Sequence, residues 1–198
     1  MEHQPEGNFF NKYEDSNPIT KKIMNNFFDK LSDLINDLNL DYIFDAGCGE
    51  GYVTSFIHRL KPHCSVSGMD ISEKVIKLAS DKYPDIAFAV GSIYQIKQPD
   101  ASHDLVVACE VLEHLERPLD ALVELFRVSK RYVLLSVPRE PIWRISNMAR
   151  LKYWRHMGNT PGHIQHFSKK DFVALAEKMG HIRQIRTPFP WTMLLCEK

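Results

Sequence analysis

The 198-residue sequence has no excess of charge of either sign: 25 Lys and Arg stand against 25 Asp and Glu, a formal zero at pH 7. A general polyanion-binding field over the whole molecule is thereby excluded, and any basic site must be local. It also lacks a Cys-x-x-Cys pair. Its four cysteines, Cys48, Cys64, Cys109 and Cys196, are scattered, and two fall in apolar runs that read as buried strands, so reduced thiols are expected. Nowhere do eighteen apolar residues run uninterrupted, and the polar, acidic stretch from Met1 to Asn17 has no apolar signal core. These absences lead to the expectation of a soluble, cytoplasmic protein with no transmembrane segment. Internal repeats and low-complexity tracts are missing too. What is present is a 44% hydrophobic content at a length for which one domain with one core is the default.

The patterning divides the chain into a mobile start, residues 1–17, and a single domain, residues 18–198. Asn17-Pro18 supplies an N-cap followed by proline at the first helical position, and Ile19, Ile23, Phe27, Leu31, Leu34, Ile35 and Leu38 recur at helical spacing. Tyr42-Ile43-Phe44 then reads as a strand, Tyr52 to Leu60 as a helix and Ser65 to Met69 as the next strand, which is a βαβ unit. A helix capped by Ser72, strands at 86–90 and 105–109, a helix from Pro118 and a strand at 132–137 continue the alternation. Such alternation predicts a mostly parallel sheet covered on both faces. Residues 138–167 interrupt it as an insertion. Ser168 to Asp171 has the form of a capping box for a last helix that Gly180 would end, and strands at 182–187 and 191–196 should pair antiparallel across Pro188-Phe189-Pro190.

The first βα turn reads Asp45-Ala46-Gly47-Cys48-Gly49-Glu50-Gly51. Glycines there let the chain turn tightly and let a ligand approach main-chain N–H groups, while the following helix offers its positive end. Asp70 follows the second strand at roughly the interval at which an acid meets a ribose hydroxyl in nucleoside-binding sheets.

In these residues the chain resembles the class I S-adenosylmethionine-dependent methyltransferases, from Tyr42 to Lys198, with a more distant likeness to ubiquinone-pathway O-methyltransferases. The third glycine comes one residue earlier than in a dinucleotide fingerprint, and the acid precedes the turn. The resemblance implies a doubly wound, Rossmann-like α/β fold, a seven-stranded mostly parallel sheet with an antiparallel last strand and helices on both faces. It implies S-adenosylmethionine as methyl donor and S-adenosylhomocysteine as product. By the same likeness Asp45, Ala46, Gly47, Cys48, Gly49 and Gly51 would hold the methionine portion, Asp70 the ribose, Ile71 a face of adenine, and Gly91, Ser92 and Ile93 the adenine edge, with Cys109 and Glu110 beside the donor. Relatives commonly carry an aspartate where Ser92 stands, and a serine hydroxyl is the weaker acceptor for an adenine amino group.

On the acceptor side His114, just past the fourth strand, is the first candidate general base, with His163 as a second. Glu110, Glu113 and His114, with His166 or His163 arriving from the insertion, are a candidate divalent-metal set, since Glu-x-x-Glu-His resembles the ion site of ubiquinone-pathway and small-RNA methyltransferases. No metal is assigned. In the insertion Arg139, Arg144, Arg150, Lys152 and Arg155 interleave with Trp143, Tyr153 and Trp154, and Ile142, Ile145, Met148 and Leu151 stand at helical spacing. A lid over an acidic or lipid-linked small-molecule acceptor is the expectation, with peripheral contact to an anionic membrane as a further use. An RNA acceptor and a non-catalytic donor-binding domain are the alternatives, the former disfavoured by the neutral charge.

Overall fold

The computed structural model describes Tyr13, residues 16–149 and residues 156–198. Seven strands line up as one open sheet: β1 (Tyr42–Ala46), β2 (Ser65–Asp70), β3 (Ala87–Val90), β4 (His103–Cys109), β5 (Ser129–Pro138), β6 (His181–Arg186) and β7 (Trp191–Glu197). Their order is β3-β2-β1-β4-β5-β7-β6, with β7 antiparallel to both of its neighbours and all other pairs parallel. The central strands are apolar on both faces because both are covered. Ile43, Leu105, Val107 and Leu134 point into one core with α1 (Pro18–Ile35) and α2 (Tyr52–Leu60). Phe44, Val106, Ala108 and Leu135 point into the other, against α4 (Pro118–Val128) and α6 (Lys169–Ala176). The doubly wound expectation holds, including the antiparallel final pair.

Helix ends and faces show where local pattern yields to packing. Asn17 caps α1 as expected, its Oδ1 accepting from the Ile19 N–H at 2.9 Å. The buried stripe is Thr20, Met24, Phe27, Leu31, Leu34 and Ile35, however, and Ile19 is 71% exposed, because the stripe is set by the sheet beneath rather than by the first apolar residue. Ser72 occupies the N-cap of α3 (Glu73–Lys82) without a side-chain cap bond; its own N–H donates instead to Asp70 Oδ1. Ser168 does cap α6, accepting from Asp171 N and donating to Asp171 Oδ2 at 2.6 Å, but the helix ends at Ala176, before Gly180.

The insertion forms α5 (Ile142–Ala149). Of its apolar residues Ile145 is 56% exposed, and the buried residue is Asn147, whose amide donates to the Gly158 carbonyl at 2.9 Å. Arg150, Leu151, Lys152, Tyr153, Trp154 and Arg155 lie outside the described residues. No helix among the described residues is long and apolar enough to cross a membrane.

Candidate active site

At the carboxyl ends of β1 and β2 the glycine turn is built as the sequence requires. Gly47, Gly49 and Gly51 take φ of +83°, +52° and +79°, left-handed values that favour glycine. The N–H groups of Gly47 and Cys48 both donate to the Met69 carbonyl, at 2.7 and 3.0 Å, and lash the turn to β2. Asp70 completes the tie: one carboxylate oxygen accepts from Gly49 N and the other from Ser72 N, each at 3.0 Å. Burial raises the Asp70 pKa while these backbone N–H groups oppose the rise, and each oxygen keeps a further lone pair for a ligand hydroxyl.

A methyl added at Gly47 would meet Val111 Cγ2 at 2.5 Å, whereas one at Gly49 would meet nothing within 4 Å. Gly47 therefore serves packing, and Gly49 faces open volume. Asp45 lies beneath the turn, 1% exposed, accepting from Thr54 Oγ1 at 2.7 Å, and burial pushes its carboxyl up to about 7. Burial also holds the thiols of Cys48 and Cys109 protonated, which argues against a nucleophilic role for either.

The adenine-side residues are placed by the loop after β3. Gly91 N donates to the Asp70 carbonyl at 2.9 Å, bringing Gly91, Ser92 and the buried Ile93 next to the end of β2. The Ser92 hydroxyl accepts from Tyr94 N at 3.3 Å within its own turn. Ile71 is 42% exposed beside Asp70, an apolar side chain available to a flat ligand. Arg127 fixes the far end of this loop through Glu124, Asp100 and the carbonyls of Ile96 and Gln98.

Beyond β4 the chain bends at Glu110, whose φ is +59°, and enters a short 3-10 helix, Leu112–His114. The insertion returns to this point. Ile164 N and Gln165 N both donate to the Glu113 carbonyl, and His114 Nδ1 lies 2.9 Å from the Gly162 carbonyl. A carbonyl only accepts, so Nδ1 carries a proton and a neutral His114 presents the lone pair of Nε2. His163, buried, stacks on Trp143 (centroids 5.8 Å, planes 23° apart) and meets the His114 ring edge-on at 4.8 Å. Glu113, His114 and His163 each bring a ligating atom to within 4.8 Å of the others.

This trio differs from the candidate set of the sequence. Glu110 is not part of it, and of the two insertion histidines it is His163 that joins, while His166 is turned to Glu140, with Nδ1 3.7 Å from Oε1.

Two further residues are notable, Tyr13, which the sequence did not single out, and Arg139, the first of the insertion's basic residues. Tyr13, in the stretch expected to be mobile, stacks on Tyr52. Arg139, directly after β5, has a buried Nε with no hydrogen-bond partner among the described residues. Its neighbour in the basic cluster, Arg144, is engaged structurally and donates to the Met157 carbonyl.

Residues 44–136 match the methyltransferase domain family. An uncharacterised methyltransferase of Schizosaccharomyces pombe is 36% identical over 101 residues, 46% of this chain and 36% of that protein. Trans-aconitate 2-methyltransferase of Escherichia coli O7:K1 is 29% identical over 105 residues, 53% of this chain and 41% of its own length. The chain thus spans about two fifths or less of these two relatives. The crystal structure of magnesium protoporphyrin IX methyltransferase from Synechocystis PCC 6803 with bound S-adenosylhomocysteine superposes with a TM-score of 0.67 at 20% identity, covering 94% of this chain and 91% of that one, a likeness of fold. Sheet order, donor turn and matched span agree: residues 44–136 are a methyltransferase domain, set in a chain with the fold of S-adenosylmethionine-dependent methyltransferases.

Proposed function

We propose that the protein transfers the methyl group of S-adenosylmethionine to a small-molecule acceptor bearing a carboxylate or phosphate, and that the acceptor sits between the Glu113, His114 and His163 cluster and Arg139. The observation that carries the donor half is the Gly49–Asp70 arrangement: an acid held by backbone bonds on both oxygens next to a glycine that faces open volume. Asp70 would take the ribose hydroxyls, Ile71 an adenine face, Gly91, Ser92 and Ile93 the adenine edge. The turn from Asp45 to Gly51, with Cys109 and Glu110, would hold the methionine portion.

In the reaction the acceptor's lone pair forms the new bond to the methyl carbon as the carbon–sulfur bond breaks, and that bond's electron pair stays on sulfur as a neutral thioether. Alignment supplies much of the rate. A proton leaving an oxygen or nitrogen acceptor passes to His114 Nε2, and the buried Glu113 carboxyl beside it favours the imidazolium that forms. His163 is the second candidate for this proton, held in place by its stack on Trp143. The basis for an anionic acceptor is Arg139, whose buried, unpartnered Nε is satisfied most readily by an anion. Among the relatives, the E. coli enzyme is named for trans-aconitate, a carboxylate.

A second reading rests on the same cluster. One carboxylate and two imidazoles within 4.8 Å fit a borderline divalent ion such as zinc or manganese. If present, the ion would be held by Glu113, His114 and His163 and would polarise an acceptor hydroxyl.

The test is turnover with labelled S-adenosylmethionine across carboxylate-bearing and phosphate-bearing acceptors, in wild type and in His114→Ala. The variant is expected to lose turnover and keep cofactor affinity; equal loss of both means the histidine is structural. Thorough chelation separates the two readings, because unchanged activity with no retained ion removes the second.

A further inference from the structure

The insertion reaches the site through one tight turn. Thr160-Pro161-Gly162-His163 has proline and then glycine at its two middle positions, Gly162 takes φ of +87°, and the Thr160 carbonyl accepts from His163 N at 3.1 Å, the features of a type II β-turn. Its last two residues both meet the candidate base: the Gly162 carbonyl lies 2.9 Å from His114 Nδ1, and the His163 ring meets the His114 ring edge-on. Where the turn sits therefore decides how His114 is held.

The first side chain of the turn fixes that place. Thr160 Oγ1 accepts two hydrogen bonds from α5, from the Trp143 indole N–H at 2.9 Å and from the Asn147 amide at 3.3 Å, so both of its lone pairs are used. Trp143 also stacks on His163, which closes a ring of contacts from the Thr160 hydroxyl, through Trp143 and His163, back to the Thr160 carbonyl. Asn159 steadies the same turn, its amide donating to the His163 carbonyl at 3.2 Å. A side chain without oxygen at position 160 would take the acceptor from the indole N–H and free the turn to shift.

We propose that Thr160 is a positioning residue for the transfer: its hydroxyl anchors the Pro161-Gly162 turn to α5, and the anchored turn holds His114 in the tautomer with the proton on Nδ1 and the lone pair on Nε2. This rests on the reading above in which His114 takes the acceptor's proton, since the tautomer of a histidine is set by the hydrogen bond that its other nitrogen makes.

The experiment is nitrogen NMR of the histidine rings at about pH 9, where imidazoles are neutral, in wild type, Thr160→Ser and Thr160→Val, with His114 assigned by its loss in His114→Ala and S-adenosylhomocysteine affinity measured beside it. Wild type and Thr160→Ser, which keeps the oxygen, should show the His114 proton on Nδ1. Thr160→Val should show it on Nε2, the site a histidine prefers in water, with the Trp143 indole N–H signal moved upfield. Turnover of labelled S-adenosylmethionine with the carboxylate-bearing and phosphate-bearing acceptors should fall about tenfold or more in Thr160→Val, because a misplacement of about 1 Å can cost about a hundredfold. Thr160→Ser should restore it, and S-adenosylhomocysteine affinity should be the same in all three. An unchanged His114 tautomer in Thr160→Val, equal damage in Thr160→Ser, or loss of S-adenosylhomocysteine binding in step with turnover overturns the role of Thr160. Full turnover in His114→Ala, or wild type that methylates none of the acceptors, overturns the reading of the site instead.

Discussion

Asp45→Asn separates what the donor turn costs the fold from what it does for the ligand. The Asp45 carboxyl is raised from 3.8 to about 7 by burial, and its hydrogen-bond partner, the Thr54 hydroxyl, offsets only part of that. The folded state therefore holds a proton that the unfolded chain releases between about pH 4 and pH 7. Its stabilising contribution is complete below the unfolded value and is lost as pH rises through the folded one. Three pKa units correspond to about 4 kcal/mol. Loop relaxation and water entry reduce this, and we expect the asparagine variant, which keeps the shape and the Thr54 bond, to exceed wild type by about 2 kcal/mol at pH 8 and to match it near pH 4. Urea unfolding of both proteins at pH 4, 5, 6, 7 and 8 reads the difference directly, since every other titrating group is common to the pair. The same variant should bind S-adenosylhomocysteine more weakly, and wild-type binding should tighten as pH rises through 7, because a cationic tail favours the ionised acid. If the two stability curves run parallel over this range, Asp45 is not the strained acid described here.

The glycines give a second contrast: Gly47→Ala should destabilise the domain by about 2 kcal/mol or more through its left-handed φ and the approach to Val111. Gly49→Ala should cost the fold only about 1 kcal/mol yet abolish S-adenosylhomocysteine binding, because its methyl points into the ligand's space. Denaturant midpoints and calorimetry on the two variants check this, and retained binding in Gly49→Ala would move the donor elsewhere. Arg139→Gln should raise KM for an anionic acceptor while leaving KM for S-adenosylmethionine and the unfolding midpoint in place; equal effects on neutral and anionic acceptors would show that the arginine does not read charge.

The sequence carried the sheet because apolar runs of four to six residues, glycine turns and helical spacing are local, and the antiparallel closure followed from a connection too short for a helix. The donor side was legible for the same reason: Asp45, the three glycines and Asp70 lie within a single βαβ unit, and their contacts are short-range or made by backbone. On the acceptor side His114 and His163 could be named one by one, but their meeting could not be read. His114 and His163 meet across 48 intervening residues, through a loop whose path is set by Asn147 on Gly158 and by two bonds to the Glu113 carbonyl. Nothing in Gly162-His163-Ile164-Gln165-His166 distinguishes the histidine that turns inward from the one that turns to Glu140. Ile19 misled because apolar spacing names a stripe without saying which part of it the sheet reaches. Tyr13 gave no signal at all, being one aromatic ring in a polar stretch whose partner, Tyr52, sits far along the chain on α2.

Titration of the purified chain with S-adenosylhomocysteine and with NAD tests the donor assignment most directly, with Asp70→Ala beside it. Saturable, single-site heat with S-adenosylhomocysteine, none with NAD, and loss of binding in Asp70→Ala is the expected result. Binding of NAD alone, or S-adenosylhomocysteine binding untouched by the loss of Asp70, would contradict it.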